Sequence, residues 1–346
     1  MPSPAVQTED VPIKRILIIQ TAFTGDTIIA TACVEKIRYA HPDVSIDILV
    51  RKGNESLFDH HPHIRNLFIW DKRNGKNRQL LSLIGKFRRH RYDWCINLQR
   101  HWSTALMTVF CGARYTAGFS TTLPARFYTR RVPHAIEPEA GLIHEVDLFL
   151  QVAGGIVPDA RRTLPKLYPS PEDFAVTGAS GPYITIAPAS VWFTKQYPPE
   201  KWIEVINRIG PEYSVHLIGG KEDIPLCARI RERAQHPSVY NRAGTLSYLR
   251  SAALMRGAVM NYVNDSAPLH IASAVEAPVT AVFCSTVPAF GFGPLGTKAR
   301  VVETDRTLAC RPCGPHGFKQ CPRGHFRCAE IDPERIMGKL PEQNLF

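Results

Sequence analysis

Short apolar runs alternating with helical patterns, twice over, constrain this chain more than any other feature of its sequence. Ile16-Leu17-Ile18-Ile19 is a continuous buried-strand run. Residues 27–39 then repeat apolar side chains at helical spacing (Ile28, Ile29, Ala32, Cys33, Ile37) until His41-Pro42 ends the pattern. Strand patterns follow at 44–50, 67–70 and 94–98, and helical ones at 80–87, 104–110 and 142–152. Parallel strands need a crossover of a dozen or more residues, and helices between strands supply it. The expected class is therefore α/β. At Leu164-Pro165-Lys166-Leu167-Tyr168-Pro169-Ser170-Pro171 periodicity stops, and 177–182 is small and polar. A second alternation then runs from 183 to 284, with strands at 183–187, 214–218, 258–263 and 279–284 among helical stretches.

These breaks predict a disordered tail (1–13), a first Rossmann-like domain (14–164), a linker (165–182) and a second such domain (183–330). A C-terminal helix and tail (331–346) complete the chain. Its 346 residues suit two cores of ordinary size. In doubly wound sheets ligands bind beyond the strand C-termini, so two halves predict a ligand in a cleft.

Composition excludes several classes. With 44% apolar and 21% charged residues the chain reads as soluble and globular. No apolar run approaches the roughly 18–20 residues of a membrane span. The N-terminus has neither a basic nor an apolar leader segment, so export is not expected. Net charge is +11, and eight basic residues without an acidic one fall between Lys72 and Arg91. Such a block is a solvated helix face or an attractor of phosphate. Nucleic-acid binding is not expected, because no interleaved aromatics or nucleic-acid motif accompany it. Five cysteines sit in apolar segments like core residues of a reduced protein. The other four, Cys310, Cys313, Cys321 and Cys328, crowd near the C-terminus. Their Cys-x2-Cys-x7-Cys-x6-Cys spacing suits a structural zinc clip, free thiols or a labile disulfide.

Three loops, each between a strand and a helix, hold the candidate chemistry. Gln20 to Asp26 has one glycine, so it is neither a dinucleotide fingerprint nor a P-loop. It places Asp26 at a helix start, as a cap or as a general base. Ala187 to Pro198 carries small and hydroxyl residues with Lys195, a composition suited to a diphosphate. Asn264 to His270 places Asp265 or Ser266 at another helix start, with Pro268 in its first turn. Gly291-Phe292-Gly293-Pro294-Leu295-Gly296 matches G-x-G-x-x-G literally, but it runs into a strand and carries proline where a helix should open, so it is set aside.

Together these loops resemble glycosyltransferase family 9, the lipopolysaccharide heptosyltransferases. The resemblance rests on Gly25-Asp26, on Pro188-Ala189-Ser190 with Lys195-Gln196-Tyr197-Pro198, and on Asn264 to His270. Arg91-Tyr92-Asp93 before Ile96-Asn97-Leu98-Gln99, Gly112-Ala113 with Gly118-Phe119, and His144-Glu145 opening a helix also fit. Similarity spans about 14–340. Ala189 and Ala267 stand where the family usually has glycine. The segment from Phe283 to Gly296, with the cysteine-rich tail, is similar to the second-heptose transferases.

The resemblance implies a GT-B fold of two Rossmann-like domains and an inverting transfer. The implied donor is ADP-L-glycero-D-manno-heptose and the acceptor is the inner core of lipopolysaccharide. Asp26 takes the base role, while Ser190, Thr194, Lys195 and Ser266 hold the diphosphate and Asp265 the donor sugar. Glu222 or Asp223 suits the ribose, and Leu246 the adenine. No catalytic cofactor is implied, and Arg88, Arg89 and Arg91 would meet an anionic acceptor or the cytoplasmic face of the inner membrane. Competing expectations are another GT-B transferase or epimerase with a different nucleotide sugar, or a non-catalytic sugar-nucleotide or glycolipid-binding protein.

Overall fold

The computed structural model describes residues 12–134, 143–157, 159, 161–175 and 181–338. Most of the expected N-terminal tail, the first residue of the 142–152 helix, much of 177–182 and the last residues of 331–346 lie outside these. The chain divides into two compact units, Met1–Tyr168 and Pro169–Phe346. The division falls inside the proline-rich stretch.

Unit 1 runs β1 (Arg15–Gln20), α1 (Thr24–Ala40), β2 (Ser45–Arg51), β3 (Ile64–Trp70), α2 (Lys76–His90), β4 (Trp94–Asn97), α3 (Trp102–Phe110), β5 (Tyr115–Phe119), β6 (Arg130–Val132) and α4 (Glu145–Ala153). Its six strands are all parallel, in the order β3-β2-β1-β4-β5-β6. The four isoleucine and leucine residues 16–19 are fully buried in β1, as a central parallel strand covered on both faces requires. α1 packs against α4, and Ile28, Ile29, Ala32, Cys33 and Ile37 have no exposed surface. Each such large aliphatic side chain contributes about 1.5–3 kcal/mol on burial.

Unit 2 runs α5 (Pro171–Ala175), β7 (Tyr183–Ala187), α6 (Pro199–Asn207), β8 (Ser214–Leu217), α7 (Ile224–Arg233), β9 (Val239–Asn241), α8 (Tyr248–Gly257), β10 (Met260–Asn264), α9 (Ala267–Ala274), β11 (Val279–Phe283), β12 (Ala299–Glu303) and α10 (Pro333–Met337). Its parallel sheet is ordered β12-β11-β10-β7-β8-β9. Renumbered from β7, that is the order of the first sheet. Both units thus reverse their winding between the first and fourth strands, the place where doubly wound folds bind ligands.

Several elements depart from the sequence expectation. β3 begins at Ile64, three residues early, through an Ile-Arg-Asn stretch with no continuous apolar signal. β5, β6 and β9 carry Gly118, paired arginines and only three residues respectively, so none shows strand periodicity. Gly118 is required where it stands, since a Cβ there would lie 2.6 Å from the Tyr128 ring and 3.0 Å from the Asn97 carbonyl. The expected linker contains α5, whose Ser170 backbone N–H donates to Asp173 at 2.9 Å.

Candidate active site

In unit 1 the loops after β1 and β4 flank the switch point. Asn54 ties the first one down. Its Nδ2 donates to the Ala22 carbonyl at 3.2 Å and to Thr27 Oγ1 at 2.8 Å, while Thr24 Oγ1 donates to its Oδ1 at 3.0 Å. The Ala22 N–H donates to Gln20 Oε1 at 3.1 Å, and Gln99 from the second loop donates to the same oxygen. Asp26 therefore rises from a fixed loop into the first turn of α1. Phe23, the N-cap, offers no side-chain cap, and its backbone N–H is one of the groups that hold the Asp26 carboxylate. Asp26 thus stands in the first turn of α1, three residues after the N-cap. Burial, then the charge of Glu145, lifts Asp26 from 3.8 to about 6; backbone N–H groups and Arg100 act in the opposite direction.

Cations gather on the same edge. A cavity of about 580 Å³ is lined by Arg51, Lys52, Trp70, Asp71, Lys72 and Arg73, at the C-terminal ends of β2 and β3. Lys72 Nζ donates to the Thr21 carbonyl at 2.7 Å and lies 5.0 Å above the Trp70 ring. Burial, then Arg51 and Lys76, pulls its ammonium down to about 8. Burial, then the charges of Lys72, Arg100 and Lys76, lowers His101 in the loop after β4.

Arg88, Arg89 and Arg91 lie elsewhere. They sit at the C-terminal end of α2, at the opposite edge of the sheet from Asp26. A helix of 15 residues spans about 22 Å. From the front of the same basic block, Lys72 and Arg73 line the cavity on the Asp26 edge beside Arg51 and Lys52.

In unit 2 the corresponding loops follow β7 and β10. Asn264 joins them: its Nδ2 donates to the Pro188 carbonyl at 2.8 Å, and its Oδ1 accepts from the Tyr197 N–H at 3.0 Å. Lys195 Nζ stands 2.7 Å from Asp265 Oδ2, which also accepts from Thr286 Oγ1 at 2.7 Å. Both partners are largely buried. Ser190 is half-buried, and its carbonyl accepts from Gln196 Nε2 at 2.7 Å. Ser266 caps α9 without a side-chain contact to that helix. Glu222 and Asp223 lie in the turn after β8, where Asp223 Oδ2 accepts from the Gly220 N–H at 2.8 Å, and half-buried Leu246 lies beyond β9. All are on the C-terminal edge of the second sheet. His270 is buried, with its ring 6.4 Å from that of Phe292.

Thr194 departs from the others. Its hydroxyl is buried, accepts from the Phe318 N–H at 2.8 Å and from Ser285 Oγ at 3.0 Å, and so braces the loop. The Thr194 N–H donates back to the Phe318 carbonyl at 3.1 Å. Gly317, at φ +77°, lets the tail approach: a Cβ would lie 3.0 Å from Thr194 Oγ1 and 3.2 Å from Lys195 Cγ. The cysteine-rich segment thus supports the lysine loop through its backbone. Cys310, Cys313, Cys321 and Cys328 are all free, and among the described residues no three His, Cys, Asp or Glu side chains are grouped to hold a metal ion. Cys328 is part of the unit 2 core, the other three are half-exposed, and Cys310 Sγ lies 3.8 Å from His325 Nε2.

Sequence patterns missed Arg100 and His134, and marked Glu145 only as part of a helix start. His134 Nδ1 lies 3.2 Å from Arg100 Nη1, and its Nε2 lies 3.6 Å from Glu145 Oε2. They come from the loop after β4, the segment after β6 and the start of α4, so no local motif joins them.

Two doubly wound sheets of the same order, with a carboxylate at one switch point and a lysine–aspartate pair at the other, match the GT-B class of fold. The chain belongs to glycosyltransferase family 9 (heptosyltransferase), whose model matches residues 80–319. It is 24% identical over 277 residues to lipopolysaccharide heptosyltransferase 3 of Escherichia coli, covering 76% of this chain and 82% of that one. Its fold is similar to a family 9 glycosyl transferase from Veillonella parvula (TM-score 0.81, 21% identity, 96% and 97% of the two chains covered). The ADP-heptose lipopolysaccharide heptosyltransferase II of E. coli has the same architecture (TM-score 0.76, 21% identity, 93% and 96% covered). The family and the fold expected from the loop motifs are thus established.

Proposed function

We propose that this glycosyltransferase transfers heptose from ADP-L-glycero-D-manno-heptose to the inner core of lipopolysaccharide, with inversion at the anomeric carbon. The observation that carries this reading is the pair of matched switch points, one bearing Asp26 and the other Lys195 with Asp265. The names of the relatives supply the sugar and the acceptor class.

A direct displacement inverts the anomeric centre and needs three things in line: an acceptor oxygen, the anomeric carbon and the departing diphosphate. In this reading Asp26 accepts the acceptor's hydroxyl proton as the new C–O bond forms. A positioned base of this kind contributes about 10²–10⁴ in rate. A carboxyl that titrates at about 6 is both ionised at neutral pH and more basic than an ordinary aspartate. The bond to the diphosphate breaks and leaves its electrons on the phosphate oxygen. Lys195, with Ser190, Ser266 and the N-terminus of α9, opposes that charge. Asp265 then turns from its salt bridge toward the sugar hydroxyls. Glu222 or Asp223 takes the ribose and Leu246 the adenine.

The acceptor is anionic in this reading, and the cationic cavity around Lys72 and Arg73 is its matching surface. The rest of the basic block, with Arg88, Arg89 and Arg91, faces an anionic cytoplasmic membrane surface. Among the described residues no helix is long and apolar enough to cross a membrane.

A thermal-shift panel of ADP-, UDP- and GDP-sugars tests the donor, and ADP release with a purified core acceptor tests the transfer. Stabilisation by ADP-heptose with acceptor-dependent ADP release is the expected result. Selective stabilisation by a UDP- or GDP-sugar would overturn the donor assignment.

A further inference from the structure

One helix of unit 1 is sorted inside out. α3 (Trp102–Phe110) carries no charged residue. Apart from Ser103, its solvent side is Trp102, Leu106, Val109 and Phe110, at the i, i+4, i+7 and i+8 spacing of one helix face. Its threonines point the other way. Thr104 and Thr108 are fully buried, their hydroxyls donating to the His101 carbonyl at 2.9 Å and the Thr104 carbonyl at 2.8 Å. Trp102 and Phe110 are 56% and 52% exposed. The apolar face continues onto a short 3-10 helix, Leu123–Phe127, whose Leu123 and Phe127 are 58% and 63% exposed. Ala105 and Val109 of α3 pack with Ala125 and Tyr128 to join the two elements, and Asn97 Nδ2 donates to the Tyr128 hydroxyl at 2.9 Å from beneath. Single exposed apolar residues are ordinary, whereas four along one helix face joined to two more form a patch.

The charge around this patch has one sign. Residues 94–134 include five arginines and no aspartate or glutamate. Arg126 is exposed and stands 4.7 Å from the centre of the Phe127 ring. At the far end of α3, Gly112 lies against α2, and a Cβ there would meet Arg88 Cγ at 3.3 Å. The basic end of α2 therefore adjoins the Phe110 end of the apolar stripe. A second copy of this chain on the patch would bring arginine against arginine. A bilayer of net negative charge instead offers acyl chains and phosphates together. We propose that the face formed by α3 and Leu123–Phe127 inserts into an anionic bilayer. Trp102, Phe110, Leu123 and Phe127 enter the lipid interface, and Arg88 and Arg126 meet lipid phosphates. α3 begins just past the C-terminal end of β4, on the sheet edge that carries Asp26, so insertion holds that edge close to the lipid surface. This role rests on the acceptor being a membrane-held glycolipid, and vesicles without acceptor test the face by itself.

The full chain is mixed with vesicles of phosphatidylglycerol and phosphatidylcholine, without donor or acceptor. Sedimentation reads binding, and quenching of tryptophan fluorescence by brominated acyl chains reads insertion. Trp70, Trp94 and Trp202 are buried, so the quenched signal is expected to be that of Trp102 and to vanish in Trp102→Phe while binding persists. Phe110→Ser combined with Phe127→Ser should weaken binding by about tenfold or more at unchanged Tm. Vesicles of phosphatidylcholine alone should bind far less than the anionic ones. Turnover on a soluble acceptor fragment should be untouched by that pair of substitutions, while KM for an acceptor held in vesicles rises. Vesicle binding with Trp102 unquenched, or undiminished binding in the double variant, would overturn this face as the inserting one. So would a lipid-free dimer that buries Trp102. Absent ADP release with a core acceptor, with the quenching intact, would instead overturn the acceptor and leave the inserting face in place.

Discussion

The two switch points occupy the same position in sheets of the same order, yet they treat charge in opposite ways. In unit 1 burial and a neighbouring glutamate leave Asp26 reluctant to ionise. In unit 2 Asp265 stands 2.7 Å from Lys195 and accepts from Thr286, so its charge is compensated twice. One scaffold therefore provides a carboxylate that holds its proton and a carboxylate paired with an ammonium, and the difference lies in the neighbours. Position on the fold locates a site; the surrounding charges decide what it does.

The largest expected effect breaks the unit 1 half of this contrast. Asp26→Asn should lower turnover by about 10²–10⁴-fold while leaving donor affinity nearly unchanged, as measured by initial rates beside a donor titration. Lys195→Ala tests the other half. It should raise the barrier by about 2.7–4 kcal/mol and weaken donor binding as well. Removing the lysine also leaves buried Asp265 without its cation and with Thr286 alone donating to it, so a lower Tm is expected, and Lys195→Ala combined with Asp265→Asn should recover part of that loss.

A smaller effect sharpens the comparison through stability. Asp26 holds its proton more tightly in the folded chain, at about 6, than at the ordinary 3.8. Ionising it therefore opposes folding increasingly as pH rises from 3.8 to 6, and fully above that window. Asp26→Asn should stabilise the chain at pH 7.5 by on the order of 1–3 kcal/mol, and the gain should shrink as pH falls through 6 toward 4. A variant that is less stable than the parent at pH 7.5 would contradict the assigned direction. The smallest effect concerns the far end of α2. Reversing the charges of Arg88, Arg89 and Arg91 should weaken sedimentation with anionic vesicles by about 1 kcal/mol per residue at low salt, with less difference at high salt. Catalysis on a soluble acceptor fragment should change little, since these side chains lie away from the Asp26 edge.

Much of this was legible in the sequence because it is local. Residues 16–19 declare a buried strand by composition alone, and Gly25-Asp26, Lys195 and Asn264-Asp265-Ser266 each stand between a strand and a helix. The helix-start reading of Asp26 was sound, and its contact with the Phe23 N–H is part of the structure. What was hidden depends on distance along the chain. Arg100, His134 and Glu145 meet across three elements, with no spacing to join them. The basic block read as one face, but α2 carries its two ends to opposite edges of the sheet. Thr194 was expected at the diphosphate, and nothing near it in sequence announces that its hydroxyl accepts from the Phe318 N–H, 124 positions later. The spacing of the four cysteines drew the eye to their thiols, and the backbone brace that their segment gives the lysine loop left no sequence signal.

That last brace has a bearing on biosynthesis. Because Gly317 and Phe318 complete the support of the loop carrying Lys195, that loop cannot reach its final form until almost the entire polypeptide has left the ribosome. The first half draws on no such late arrival for its own strands. A nascent protein stalled shortly before residue 317 would present a finished sheet around Asp26 and an unsupported lysine.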